Sequence, residues 1–363
     1  MILKRLVLKN FRTYKDITLE FNSRLVFFIG ENGEGKSNLI ESISLLSFLK
    51  SFRGNTDDEI LMWNENSFYI GSLLNNNEEL RLEYGFELTP SRRKKIKLNS
   101  NIFKKQSDAF GILPSVVLSP KDLNIIEGSH AERRKFIDSL ISSLNKNYLN
   151  ELVEYNRLLK QRNSSLKKQN QNYDIISVWD KMLSEKDDTI RYHRSIISTE
   201  LNQRYQKALS SLSGKKDDFE LVYKPNVHSK EEFLEKMKQN LEKDLRVGYT
   251  TSGNHRDEIF IGKEGKDILE FGSQGQKRSS VISMKTGSFE LIREKIGTDP
   301  ILLIDDVIRE LDVKRREFFV DLIRGCGQAF FTTTDLEGIQ DYIGNLEENR
   351  QIFLVKDGQV AEL

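Results

Sequence analysis

The chain has 363 residues, with 56 lysines and arginines against 55 aspartates and glutamates and a formal net charge of +1. That balance excludes a globally basic nucleic-acid protein and an acidic disordered chain, while leaving room for a local basic patch. The one cysteine, Cys326, excludes an internal disulfide and a cysteine zinc site, and no apolar run approaches the roughly 18 residues of a membrane span, so the chain reads as soluble and cytoplasmic.

The first hundred residues read as strands around one helix. Residues 2–8 and 17–21 alternate apolar with polar, and residues 25–29 (LVFFI) are continuously apolar, as a strand buried on both faces requires. Next comes Gly30-Glu31-Asn32-Gly33-Glu34-Gly35-Lys36-Ser37-Asn38, which fits G-x-x-x-x-G-K-[ST]. Glycines there let successive backbone N–H groups converge on phosphate oxygens, and the following helix start adds its positive dipole end. Lys36 supplies a point charge for the β- and γ-phosphates, and the Ser37 hydroxyl suits Mg²⁺. The helix after it carries Leu39, Ile43, Leu46 and Leu49 on its inner face. A buried strand before the loop and an amphipathic helix after it distinguish a nucleotide site from a chance glycine turn. Strands are expected at 67–73 and 80–88. Residues 92–105 (RRKKIKLNSNIFKK) hold seven basic residues and no acid, so Lys94, Lys95, Lys104 and Lys105 are candidate DNA-phosphate contacts, a solvated loop being the alternative.

From about 129 to 245 strand signals nearly vanish. Apolar residues recur at helical spacing, as in Phe136, Leu140 and Leu144 and in Trp179 and Leu183. A polar stretch at 167–172 reads as a connection between helices.

The last third returns to α/β. A helix is expected over 274–296 and a buried strand over 301–305 (ILLID), placing Asp305 at the mouth of the strand for Mg²⁺ and Asp306 beside it to polarise a water. A helix at 313–324, a strand at 328–333 and a hairpin around Asp357-Gly358 complete the pattern. Lys36 and Asp305 stand almost the whole chain apart. The two ends are therefore expected to form one α/β head, 1–125 with 246–363, interrupted by a helical arm at 126–245.

Ser273, Gly275 and Gln276 open the helix at 274 in a sequence that resembles the LSGGQ signature of ABC ATPases, with Gly272 in place of Leu and Gln274 in place of Gly. Arg309-Glu310-Leu311-Asp312 resembles the D-loop of such ATPases. With LKNFRTY at 8–14, LKSFRG at 49–54, the block at 116–138, NHRDE at 254–258 and FFTTTDL at 330–336, the chain resembles the RecF family. It departs from that family at His130, Asn254 and Glu258. Asp306 stands where most ABC ATPases carry Glu, and Thr332–Thr334 stand where transporters carry a switch histidine.

The resemblance implies a P-loop ATPase head of the ABC/SMC type that binds ATP and Mg²⁺ and hydrolyses ATP weakly, with Lys36 and Asp306 as catalytic residues. It implies a signature loop acting in trans with Asp312 in an ATP-dependent homodimer. It also implies action at single-strand gaps and single/double-strand junctions, with RecR and RecO as partners in RecA loading, within DNA repair, replication, recombination and the SOS response. Two other readings are an SMC-type chromosome-organising head, which needs long coiled-coil arms, and a P-loop small-molecule kinase, which needs an acceptor site and a lid.

Overall fold

The apolar run Leu25–Ile29 becomes an inner strand of a six-stranded sheet in the computed structural model, which describes residues 1–76, 78–167, 173–214, 216–307, 313–335 and 350–363. The strand order is Gln359–Glu362, Arg350–Lys356, Leu25–Ile29, Ala329–Thr333, Ile301–Asp305 and Ser115–Leu118, parallel throughout except for the C-terminal hairpin partner. Alternate residues of the inner strand enter different cores. Leu25 and Phe27 pack with the signature helix and the arm, whereas Val26 and Phe28 pack with the helix Lys36–Phe48 and the N-terminal sheet. Burial on both faces explains why this segment is apolar without alternation.

The N-terminal sheet is antiparallel, in the order Tyr14–Glu20, Ile2–Phe11, Ser67–Asn76, Glu78–Glu87, Arg93–Leu98 and Asn101–Ile102. Its alternation is the ordinary consequence of one face packed and one wet. Most of these strands fall where the sequence pattern places them, but Arg93–Leu98, Asn101–Ile102 and Ser115–Leu118 do not. The basic stretch 92–105, with the solvated loop as its alternative, forms a strand pair in which only Ile96 is buried, and Ser115–Leu118 is too short for its pattern to stand out.

The middle of the chain forms helices at His130–Leu144, Lys146–Leu166 and Tyr173–Ser213. The third has 41 residues and is about 60 Å long at helical rise. It lies along the helix Gln274–Ile296. Gly287 permits the close approach, since a Cβ there would meet Leu201 and Arg204 side-chain atoms at 3.1 Å, and the Tyr205 hydroxyl sits 3.0 Å from that of Ser280. One continuous core runs from Phe27 in the head to Leu183 and Ile190 in the arm. The inserted segment is therefore helical as expected, but it shares its core with the head.

One element breaks the helical pattern of the middle: Glu220–Lys224 is a strand, paired antiparallel with Glu258–Lys263. Its apolar alternation covers only Phe219, Leu221 and Tyr223, and its partner lies more than thirty positions later. Sequence periodicity over so short a run does not separate it from a loop.

Buried charge ties the arm to the head. The Arg194 guanidinium grips Asp138 with two hydrogen bonds of 2.9 Å, and donates to Asp257 and to the Asn254 carbonyl at 2.7 Å each. Asp257 also accepts from the Tyr223 hydroxyl at 2.6 Å and the Asn226 N–H at 2.7 Å. Asp187 accepts from the Asn254 N–H at 2.9 Å, and burial beside Asp257 raises its pKa to about 7. His255 bridges the Tyr155 hydroxyl (2.9 Å from Nδ1) and the Thr250 carbonyl (3.0 Å from Nε2), and burial lowers its pKa to about 4. The partners fit a neutral ring with its proton on Nε2. His255 is thus a structural joint. Cys326 is likewise a core residue, its thiol pushed up to about 11 by burial.

The histidine generates a pH dependence. It is neutral in the fold and titrates near 6.5 when unfolded, so the unfolded chain binds the extra proton as pH falls. Its contribution is complete above pH 6.5 and is lost progressively towards pH 4. Asp187 acts with the opposite sign, since its raised pKa favours the fold as pH falls, but it is common to wild type and a His255→Gln variant. The stability difference between the two should shrink by about 2 kcal/mol from pH 8 to pH 5. Paired denaturation curves at the two pH values measure it, and parallel curves would refute the assignment.

Candidate nucleotide site

Strand pairing brings the distant motifs together. Ile29 lies opposite Thr333, and Thr332 lies opposite Asp305. Gly30 and Asp305 therefore share one sheet edge, two strand spacings or about 10 Å apart.

The loop from Gly30 to Lys36 is held from several sides. Gly30 has φ 155°, and a Cβ on it would run into the Val355 carbonyl of the C-terminal hairpin. Gly35, with φ 106°, caps the helix Lys36–Phe48, and a Cβ there would sit 2.9 Å from the Thr13 hydroxyl. Both positions require glycine. The Tyr14 hydroxyl donates to the Gly35 carbonyl at 2.9 Å, and burial next to Glu34 keeps that phenol protonated by raising its pKa. Lys36 is buried, and its Nζ donates to the carbonyls of Gly30 and Glu31, both at 2.8 Å. Ser37 and Asn38 are half-buried at the helix start, while Glu31, Asn32 and Gly33 are exposed. The hairpin turn closes over the loop from behind, where the Asp357 N–H donates to the Glu34 carboxylate.

Asp305 is buried at the end of its strand, and Asp306 follows in a left-handed conformation at φ 51°. Thr332 locks the pair. Its hydroxyl donates to Asp305 Oδ1 at 2.9 Å and accepts from the Asp306 N–H at 3.0 Å. A β-branched hydroxyl on the intervening strand thus orients the carboxylate beside the P-loop.

Arg53 connects the two motifs. Its Nη1 donates to Asn38 Oδ1 at 3.1 Å, and Nη2 lies 3.8 Å from Asp305 Oδ2. Below it, fully buried Glu41 accepts two 2.9 Å hydrogen bonds from Arg12 and one from the Ser51 hydroxyl. Sequence reasoning did not single out Thr332, Arg53, Arg12 or Glu41 for these roles. The signal was present for the two arginines, since LKNFRTY contains Arg12 and LKSFRG contains Arg53.

The signature residues lie elsewhere. Ser273 caps the 23-residue helix Gln274–Ile296 in a reciprocal box with Gln276: its Oγ accepts from the Gln276 N–H at 3.2 Å, and its own N–H donates to Gln276 Oε1 at 2.9 Å. Gln276 reaches Asp217 at 2.9 Å, and Arg315 donates to the Gly275 carbonyl at 2.8 Å. Ser273 and Gln274 are exposed. Of the four candidate lysines, Lys95, Lys104 and Lys105 are exposed. Lys94 turns inward, 2.8 Å from Asp57 and 5.1 Å from the centre of the Tyr84 ring. Asp312, the D-loop candidate, lies outside the described residues.

The RecF/RecN/SMC N terminal domain family matches residues 2–359. The chain is 54% identical over 364 residues to the DNA replication and repair protein RecF of Leptospira interrogans serogroup Icterohaemorrhagiae serovar copenhageni (strain Fiocruz L1-130), covering 100% of both. The chain belongs to the RecF family. It is 35% identical over 366 residues to the RecF of Clostridium novyi (strain NT), again covering 100% of both. A solved structure described as the recombination mediator protein RecF-ATP in the RecFOR pathway superposes with a TM-score of 0.91 at 32% identity, over 99% of this chain and 97% of that one. An SMC head bound to the C-winged helix domain of ScpA shares the fold, with a TM-score of 0.56 at 17% identity, over 100% of this chain and 98% of that one. This RecF-family chain thus has the α/β head of ABC/SMC type with a helical insert.

Glu41 gives the site a stability test. Arg12→Met removes its bidentate partner and leaves a buried carboxylate short of compensation, which should cost about 3 kcal/mol. Arg12→Met combined with Glu41→Leu should recover part of that loss. Urea denaturation of the single and double variants measures both, and an undiminished single variant would contradict the role given to this pair.

Proposed function

We propose that the protein is an ATP-gated DNA-binding mediator of recombinational repair, acting at single-strand gaps and single/double-strand junctions with RecR and RecO to help load RecA. The observation that carries this reading is the division of the ATP machinery. The P-loop, Asp305 and Asp306 share one sheet edge, whereas Ser273, Gly275 and Gln276 cap an exposed helix start anchored to Asp217 and Arg315. A second copy would complete each site by presenting its signature loop to the nucleotide held by the first. Closure of that homodimer would form the DNA-binding surface.

The chain's donor set fits a triphosphate with magnesium. Glycine-permitted backbone turns leave N–H groups for phosphate oxygens at a helix start. Lys36 binds the β- and γ-phosphates. Ser37 and the Thr332-oriented Asp305 supply oxygen ligands for Mg²⁺, which offsets phosphate charge when bound. Asp306 accepts the proton of an attacking water, and a carboxylate one methylene shorter than Glu suits slow turnover. Asp312 would take the D-loop role across the dimer. Near-neutral overall charge limits DNA contact to local patches, of which the exposed Lys95, Lys104 and Lys105 form one, with Lys94 held back by Asp57.

Two experiments test this reading. Lys36→Ala should abolish ATP binding, whereas Asp306→Asn should keep it and lower turnover about a hundredfold or more; equal loss of binding in both would contradict the roles given. Changing Lys95, Lys104 and Lys105 to Gln should weaken ATP-dependent binding to gapped DNA. It should also reduce the slope of log affinity against log salt by about 0.9 for each phosphate no longer neutralised. An unchanged slope would leave these lysines as solvated side chains without a phosphate contact.

A further inference from the structure

A cleft of about 600 Å³ opens beside the nucleotide site, between the segment 48–54, the edge strand Ser115–Leu118, the helix His130–Leu144 and the signature helix. Its apolar lining includes Phe48, Phe52, Phe136, Ile125, Leu140 and Ile292. Five cationic side chains line it, Lys50, Arg53, Lys121, Lys135 and Lys285, against two acidic ones, Asp122 and Glu132. Both acids are already taken: Lys285 lies 2.7 Å from Asp122, and Lys135 lies 2.6 Å from Glu132. Arg53 is committed to Asn38, Glu41 and Asp305. Lys121 donates to the Arg53 carbonyl at 2.8 Å and has no carboxylate partner among the described residues. Lys50 makes no hydrogen bond or ion pair among them; its side chain is exposed at the cleft mouth, where desolvation and the neighbouring Lys135 lower the pKa of its amine against the opposing fields of Asp138 and Glu132. The Ser115 hydroxyl, on a side chain more than nine-tenths buried, also has no partner there.

A buried hydroxyl without a hydrogen bond is unfavourable, and the exposed ammonium groups of Lys50 and Lys121, neither in an ion pair among the described residues, leave cationic charge available at the cleft mouth. Their convergence on one cleft of ligand size marks a binding site. The phenylalanine lining decides the class of occupant. A nucleic-acid backbone wants hydrogen-bond donors along a polar track, whereas lysines above an apolar floor match carboxylates flanking apolar side chains. We propose that this cleft receives an acidic peptide segment of a protein partner, anchored by an apolar side chain, with carboxylates meeting Lys50 and Lys121. The segment 51–54 that forms one wall carries Arg53, so the occupant would lie one residue from the link between Asn38 and Asp305. Peptide binding itself does not depend on the ATP reading above.

The test uses a fluorescein-labelled peptide alternating Glu with Leu and Phe, and a counterpart with Lys for Glu, followed by anisotropy on the full chain. The acidic peptide should bind saturably, with equal affinity for wild type and Lys36→Ala, and the Lys counterpart should not bind. Lys50→Glu and Lys121→Glu, made separately on surface-reaching side chains, should each weaken binding by about tenfold or more. Absence of saturable binding by wild type, or equal affinity in both charge-reversed variants, would overturn the proposal. Displacement of the peptide by a short DNA duplex, lost in Lys50→Glu, would assign the cleft to nucleic acid and overturn it equally.

Discussion

The site depends on one strand lying between two others. Ala329–Thr333 pairs in parallel with the P-loop strand on one side and with the strand that ends in Asp305 on the other. That register sets Gly30 and Asp305 on one edge, and it sets the Thr332 hydroxyl where it can hold Asp305 and the Asp306 N–H together. A slip of one residue would turn Thr332 to the other face and release both contacts. Stacking of Phe27 on Phe331, with ring centres 4.6 Å apart, and the edge contact of Phe21 with Phe330 at 4.9 Å oppose such a slip. Packing on both faces therefore fixes a polar arrangement at the edge.

The arm depends on a different force. Three arginines, Arg133, Arg162 and Arg194, are almost completely buried, and each is met by carboxylates. Burying charge is costly unless every donor finds an acceptor, so such a cluster tolerates few alternative arrangements. Arg194 is the clearest case, because its partner Asp138 lies within the inserted segment and Asn254 and Asp257 lie beyond its end. The head-to-arm junction is thus specified by directional bonds as well as by the shared core. A helix bound along the signature helix also differs from a long free coiled coil, which an SMC-type chromosome-organising head would need.

Much of the head was legible in the sequence because its signals are local. LVFFI and ILLID are unbroken apolar runs, Gly30–Ser37 has fixed spacing, Ser273 and Gln276 form a capping box, and Asp357-Gly358 adopts the left-handed turn that its residue types favour. What stayed hidden depends on pairs far apart in the chain. Nothing near Thr332 announces Asp305 as its partner, and nothing near Glu220–Lys224 announces Glu258–Lys263. The inward turn of Lys94 follows from Asp57 and Tyr84 on neighbouring elements, so a count of basic residues in 92–105 overstates what is free to meet phosphate.

The central claim is that ATP joins two copies through the loop capped by Ser273. Light scattering with and without ATP and Mg²⁺, on wild type and Ser273→Arg, tests it most directly. Wild type should pass from the monomer mass of 42.2 kDa to twice that value on adding ATP. Ser273→Arg should bind ATP and remain monomeric. Dimerisation of Ser273→Arg as complete as that of wild type, or a wild type that binds ATP and stays monomeric, would contradict the account.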